Sequence, residues 1–147
     1  MPSFNFALPI EAPPAAVWAL LCDAPRFAGL FPYISVDALE SPEPGRWLFW
    51  RRLAVPTLAS LAWREENRVT GECTLAFRAV EGDLHTFAGR WLVTAEGGDA
   101  VLHLALEYEI PAAVAAQAPA GLAGYVMNEL FKSLCRRVKE TVEGEAQ

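Results

Sequence analysis

The 147-residue chain reads as an α+β domain in which a seven-stranded antiparallel sheet wraps around a long C-terminal helix, with two short helices after the first strand. Three observations predict this. The first ten residues carry the alternation of a strand with one buried face. Six further strand-like runs follow, joined by turns too short to hold a crossover helix, so the sheet is antiparallel. After Pro119 the apolar spacing lengthens to the helical period and stays there.

Taken in order, Phe4, Phe6, Leu8 and Ile10 alternate with Ser3, Asn5, Ala7 and Pro9. Pro13 and Pro14 suit a first helical turn, where a missing N–H costs nothing, and Val17, Trp18, Leu21 and Cys22 recur at helical spacing up to Pro25. Pro25 to Phe31 gives a second short helix with Phe27, Leu30 and Phe31 on one face, ended by Pro32. The strands that follow are Tyr33–Glu40, Arg46–Leu53, Leu58–Val69, Cys73–Val80, Leu84–Thr94 and Ala100–Ile110. Ser41–Gly45, Glu81–Asp83 and Glu96–Asp99 carry the Gly, Pro and Asp of hairpin turns. In the last strand Leu102, Leu104, Leu106, Tyr108 and Ile110 face one way, and Val101, His103, Ala105, Glu107 and Glu109 the other. Ala123, Val126 or Met127, Leu130, Leu134 and Val138 form the apolar stripe of the final helix. No repeat, linker or second core is visible, so residues 1–147 are expected to form one domain.

Composition narrows the function. Hydrophobic residues make up 53% and charged residues 20%, which places the chain among folding rather than disordered sequences. A net charge of -6 with twelve Lys plus Arg argues against nucleic-acid binding, which needs clustered cations. Cys22, Cys73 and Cys135 are odd in number, lie far apart and show no CxxC spacing, so neither a disulfide framework nor a zinc site is expected. They read as small apolar residues in a reducing compartment, and with no signal-like start the expected location is cytoplasmic. The charge-free stretch from Ile110 to Asn128 is broken by Pro111, Gln117 and Pro119 and is not expected to span a membrane. No Gly-rich phosphate loop, nucleophile elbow or His pair at metal spacing occurs, and no cofactor is expected.

One helix cannot cover a twisted seven-stranded sheet at close-packed density along its whole width, so space is expected beneath it. Large apolar residues would line that space, among them Phe77, Phe87, Trp91, Leu104, Leu106 and Tyr108 on the sheet, with Phe27, Phe31, Met127 and Phe131 as lids. The order Ile10-Glu11-Ala12-Pro13, Val17-Trp18, Phe27, Leu30-Phe31-Pro32, Gly82-Asp83-Leu84, Phe87, Gly89 and Trp91, ending in the long helix, resembles the START-related helix-grip (SRPBCC) superfamily. The likeness is to its polyketide cyclase/dehydrase and coenzyme Q-binding branch and covers nearly the whole chain. The resemblance implies a cavity between sheet and last helix that carries a lipid, an isoprenoid quinone or a polyketide-like aromatic. It implies as an alternative a cyclase or dehydratase using the same pocket. A third reading is a non-catalytic interaction module docking through Trp47–Trp50.

Candidate polar residues are few. Arg68 sits where the resembling cyclases have a strand arginine facing the cavity, and alternation puts Glu66 and Arg64 on its side. Inward, these would be a buried ion couple able to orient a ligand oxygen; outward, they would be a salt-bridge ladder. For Arg78 the hairpin register decides: a three-residue loop pairs Phe77 with Phe87 and turns Arg78 to water, and a two- or four-residue loop reverses the assignment. Of the two histidines, His103 lies on the polar face of its strand, whereas His85 shares a face with Phe87 and Trp91. Arg68, His85 and Tyr108 are therefore the candidates for polarisation or proton transfer. Arg51-Arg52, after Trp47-Leu48-Phe49-Trp50, reads either as a transient membrane contact or as the charged end of an amphipathic strand.

Overall fold

The computed structural model describes residues 3–55, 59–84, 86–117, 119 and 121–145, and resolves the elements in the expected order. Strand β1 (Ser3–Ile10) is followed by helices α1 (Pro14–Leu21) and α2 (Ala24–Ala28). Strands β2 (Ile34–Glu43), β3 (Arg46–Val55), β4 (Ala59–Gly71), β5 (Thr74–Gly82), β6 (Phe87–Glu96) and β7 (Asp99–Tyr108) then run as a meander. A short helix α3 (Ala112–Ala115) precedes the 24-residue α4 (Leu122–Glu145). All pairings are antiparallel, and the seven strands lie in the order β1-β7-β6-β5-β4-β3-β2, so the first strand closes back on the last.

Boundaries move where alternation is locally silent. β2 runs on to Glu43 through two register shifts, and the short helix α3 forms within Ala112–Gly124, whose small residues and prolines suggest from sequence a loose entry to the pocket beside the last helix. Among the described residues no helix is long and apolar enough to cross a membrane. The joint after α1 is set by Asp23, whose side chain accepts the backbone N–H of Arg26 and so starts α2 immediately.

β1 and β7 pair in perfect step, from Ser3 with Glu107 to Ile10 with Ala100, which puts Phe4 beside Leu106 on the inner face. Against that face α4 lays a buried stripe of Ala123, Met127, Leu130, Phe131, Leu134, Cys135, Val138 and Val142. At 1.5 Å per residue the helix is about 36 Å long, enough to cross the sheet. Its C-terminal half is tied down by polar links: Lys139 Nζ donates to the Pro9 carbonyl at 3.1 Å and Arg137 Nε to that of Leu30 at 3.0 Å. Arg26 pairs with Glu145 at the same end. α1 packs against α4, β6 and β7 and buries Val17, Leu20 and Leu21 in the same core.

Two glycines are demanded by packing. A Cβ on Gly89 would stand 2.2 Å from the Ala105 carbonyl oxygen and 2.6 Å from Leu106 Cβ, so β6 can approach β7 this closely only without a side chain. Gly82 combines a φ of +110° with backbone 2.6 Å from where its Cβ would be.

Candidate functional site

Aromatic rings occupy most of the space between sheet and helix. Phe131 of α4 reaches down to Phe4, Tyr108 and Phe87, with ring centroids 5.5, 5.6 and 6.4 Å away. Phe87 in turn meets Trp63 at 5.2 Å and Phe77 at 5.4 Å, while Phe27 of α2 packs edge-on to Trp91 at 5.6 Å. What they leave is a cavity of about 40 Å³, bounded by α2, the inner faces of β2 to β7 and α4. A single water needs roughly 10–15 Å³ measured this way, so the space holds a few waters; a larger guest requires the rings to move apart.

Of the residues expected to line it, Phe27, Phe77, Phe87, Trp91, Leu104, Leu106 and Phe131 do so. Ile34, Arg51, Leu53, Trp63, Glu65, Leu130 and Leu134 complete the wall. Phe31, Tyr108 and Met127 are buried but stand back from it. The Tyr108 hydroxyl donates instead to Asn128 Oδ1 at 2.8 Å, and burial pushes its pKa up. His85 lies outside the described residues. His103 faces outward and meets Thr94 Oγ1 at 3.0 Å. Phe77 is inside and Arg78 outside, although Phe77 pairs with Gly89 rather than Phe87, since the loop is longer than three residues.

Arg68 is on the outer face, its side chain 51% exposed, so its place in the ligand-binding set has to be corrected. There it joins Arg46 and Arg78 around Glu66, whose carboxylate lies 2.7 Å from Arg46 and 3.1 Å from Arg78. These partners hold the Glu66 carboxyl below its ordinary pKa, the hydrogen bond from Arg46 foremost. The charged ladder read from Arg64, Glu66 and Arg68 is an outer-face feature.

The inner face of the same strand carries the polar group that sequence reading missed. Trp63, Glu65 and Asn67 point inward, and Arg51 of β3, next to Trp63 in the β3–β4 register, reaches Glu65. Glu65 Oε2 accepts from Arg51 Nη2 at 3.2 Å and Asn67 Nδ2 at 2.7 Å, while Oε1 accepts from Trp63 Nε1 at 3.0 Å. Arg51 Nε is also 3.2 Å from Oε1, but its N–H is not aimed at that oxygen and is buried without an acceptor. The guanidinium lies over the Phe49 ring at 5.1 Å and the Phe27 ring at 5.9 Å, which fixes its plane. Arg51 and Glu65 are the only ionisable groups on the cavity wall among the described residues. The run Trp47 to Arg52 is split by the pleat: Phe49 and Arg51 are buried, while Arg52 is exposed.

A seven-stranded antiparallel sheet gripping one long helix over a largely apolar cavity is the helix-grip fold. The chain belongs to the polyketide cyclase / dehydrase and lipid transport family, whose pattern matches residues 10–139. Among solved structures it is similar to TTHA0849 from Thermus thermophilus, with 23% identity and a TM-score of 0.87 over 99% of this chain and 100% of that one. It is also similar to the Zhui aromatase/cyclase from Streptomyces sp. R1128, with 17% identity and a TM-score of 0.73 over 99% and 93% of the two chains. A START superfamily protein from Mycobacterium smegmatis aligns at 13% identity and a TM-score of 0.73 over 97% of each chain. At these identities the likeness is one of fold. A search of curated proteins finds no match.

Proposed function

We propose that this protein binds a hydrophobic small molecule, such as a lipid, an isoprenoid quinone or a polyketide-like aromatic, between its sheet and α4. The observation that carries this reading is the wall of the cavity: twelve apolar side chains and one ion pair, the composition of a site that solvates an oily body and orients one polar end. Membership of a family that includes lipid transport supports it. A resting volume of about 40 Å³ means that loading is coupled to displacement of the rings over the cavity, Phe27 and Phe131 above all, because each is anchored on a helix and not on the sheet. Ligand affinity therefore includes the cost of parting them.

The alternative, a cyclase or dehydratase, needs a side chain free to take a proton. Both oxygens of Glu65 are engaged by Trp63, Asn67 and Arg51, so the carboxylate is better built to hold Arg51 than to act as a base.

Titration with Nile red, followed by displacement with ubiquinone-1 and menadione, tests it. Dye fluorescence should rise and shift to the blue at one site per chain, and widening the cavity by Phe131→Ala should tighten binding, since the ring no longer has to be moved. A protein that binds none of these compounds, in either form, overturns the reading.

A further inference from the structure

The outer face of the sheet carries a charge arrangement that the cavity does not use. Register sets Arg46 of β3 directly opposite Arg68 of β4, Arg68 opposite Ala76 of β5, and Ala76 opposite Arg90 of β6, so three arginines share one row across four strands. Arg78, two residues beyond Ala76 on the same face of β5, adds a fourth. Like charges set opposite one another repel. Glu66 is the carboxylate among them, 2.7 Å from Arg46, 3.1 Å from Arg78 and 3.9 Å from Arg68. Glu43 adds only a 3.9 Å contact to Arg46, and Glu107 of β7 makes no ion pair with any of the four among the described residues. Arg90 is exposed and, among the described residues, has neither an ion pair nor a hydrogen bond. An excess of cations therefore sits on one face of a chain whose net charge is -6.

Ala76 turns this excess into a site. Arg68 and Arg90 rise from the strands on either side of β5, about 10 Å apart by strand spacing, and the methyl group between them clears the space above it. Ala76 lines, with Ala88, Ala105 and Arg90, an open recess of about 590 Å³. An anion seated over Ala76 meets guanidinium groups from two sides, relieves their repulsion and leaves the Glu66 pairs intact. A carboxylate offers two oxygens in one plane and matches one arginine, whereas tetrahedral phosphate presents separate pairs of oxygens to two. We propose that Arg68 and Arg90, with Arg78 at the rim, form a phosphate-binding site over Ala76 on the outer face of the sheet. The site lies on the opposite face from the cavity and does not depend on what the cavity holds.

Inorganic phosphate is titrated into the folded full chain at about pH 7.5, replacing chloride at constant ionic strength, while NMR follows the arginine Nε–Hε signals. Those of Arg68 and Arg90 should shift and saturate below about 20 mM phosphate. Arg68→Gln and Arg90→Gln should each weaken binding at least about ten-fold, the loss of one charge-assisted contact. In chloride, Arg90→Gln should leave the urea midpoint unchanged or raise it, because one member of a repelling group is gone, a result that a structural role would not give. Ala76→Glu puts a carboxylate where phosphate would sit, and should raise the urea midpoint and abolish the phosphate shifts. A lipid headgroup offers the same phosphate oxygens, so vesicles of phosphatidylglycerol and phosphatidylcholine are sedimented with the protein. Vesicle binding that Arg68→Gln and Arg90→Gln abolish assigns the site to a headgroup; no binding, or binding that these variants leave intact, assigns it to a soluble phosphate compound. The absence of a saturating shift, equal shifts in the glutamine variants, shifts that persist in Ala76→Glu, or an Arg90→Gln variant less stable in chloride each overturns the proposal. Vesicle binding without phosphate binding overturns it as well, since the face would then attract anions without a defined site.

Discussion

Replacing Glu65 by leucine while Arg51 stays in place should destabilise the protein by about 3–5 kcal/mol, the range for removing one partner of a buried ion pair. Several groups are affected at once. Arg51 keeps its charge in a position 9% exposed, and Trp63 Nε1 and Asn67 Nδ2 lose their acceptor. Two orphaned neutral donors alone cost about 1–3 kcal/mol each. The leucine recovers only about 1–2 kcal/mol of apolar burial, so the change is destabilising even before the uncompensated cation is added. Arg51→Met should cost a similar amount by leaving Glu65 alone with Trp63 and Asn67. The double replacement should be less destabilised than either single variant, because no charge is left buried alone, but it should stay below the starting protein because Trp63 Nε1 and Asn67 Nδ2 still lack their acceptor. Urea unfolding followed by circular dichroism at pH 7 measures all three. In heat, the single variants should melt about 6–20 °C lower, at roughly 2–4 °C per kcal/mol for a chain of this size. A Glu65→Leu cost below about 1 kcal/mol would refute the reasoning, since it would mean that water already shares the pair.

Three further outcomes follow from other parts of the fold. Gly89→Ala should cost more than about 2 kcal/mol in the same urea assay, because its Cβ would stand 2.2 Å from the Ala105 carbonyl oxygen and the sheet must shift to admit it. Cys135, 1% exposed and with its thiol pushed up to about 12 by burial, should resist iodoacetamide at pH 8 in the folded chain and react once urea is added, as read by peptide mass spectrometry. Glu66 has its pKa lowered below 4.5 by Arg46 and Arg78, so its contribution to stability is present above that value and is lost as pH falls through the lower folded-state pKa. Glu66→Gln should remove that part of the acid sensitivity, and acid unfolding curves that stay superimposed below pH 4.5 would contradict it.

How far the sequence could be read depends on what each stretch offers to alternation. β7 could be read residue by residue because leucines alternate strictly with His103, Ala105 and Glu107, so the large apolar side chains all fall on one face. The final helix was equally legible, since an apolar stripe over 24 residues has one solution. The polar end of the cavity was not, and the reason lies in β3 and β4. Trp47-Leu48-Phe49-Trp50 is apolar at every position, and Arg64-Glu65-Glu66-Asn67-Arg68 is polar at every position, so neither run says by itself which side is in. The one usable signal was Trp63, whose size favours burial and whose period of two carries Glu65 and Asn67 inward with it. Following Arg68 instead, on its resemblance to a cavity arginine elsewhere, selects the opposite parity and with it the outer ladder. Parity alone could not have completed the site: Arg51 belongs to it only because the β3–β4 register sets that residue against Trp63, a long-range fact fixed by the hairpin between them. A strand that is charged on both faces hides its function until its partner's register is known. Here that register separates a cluster around Glu66 on the outer face from a desolvated pair in the cavity wall.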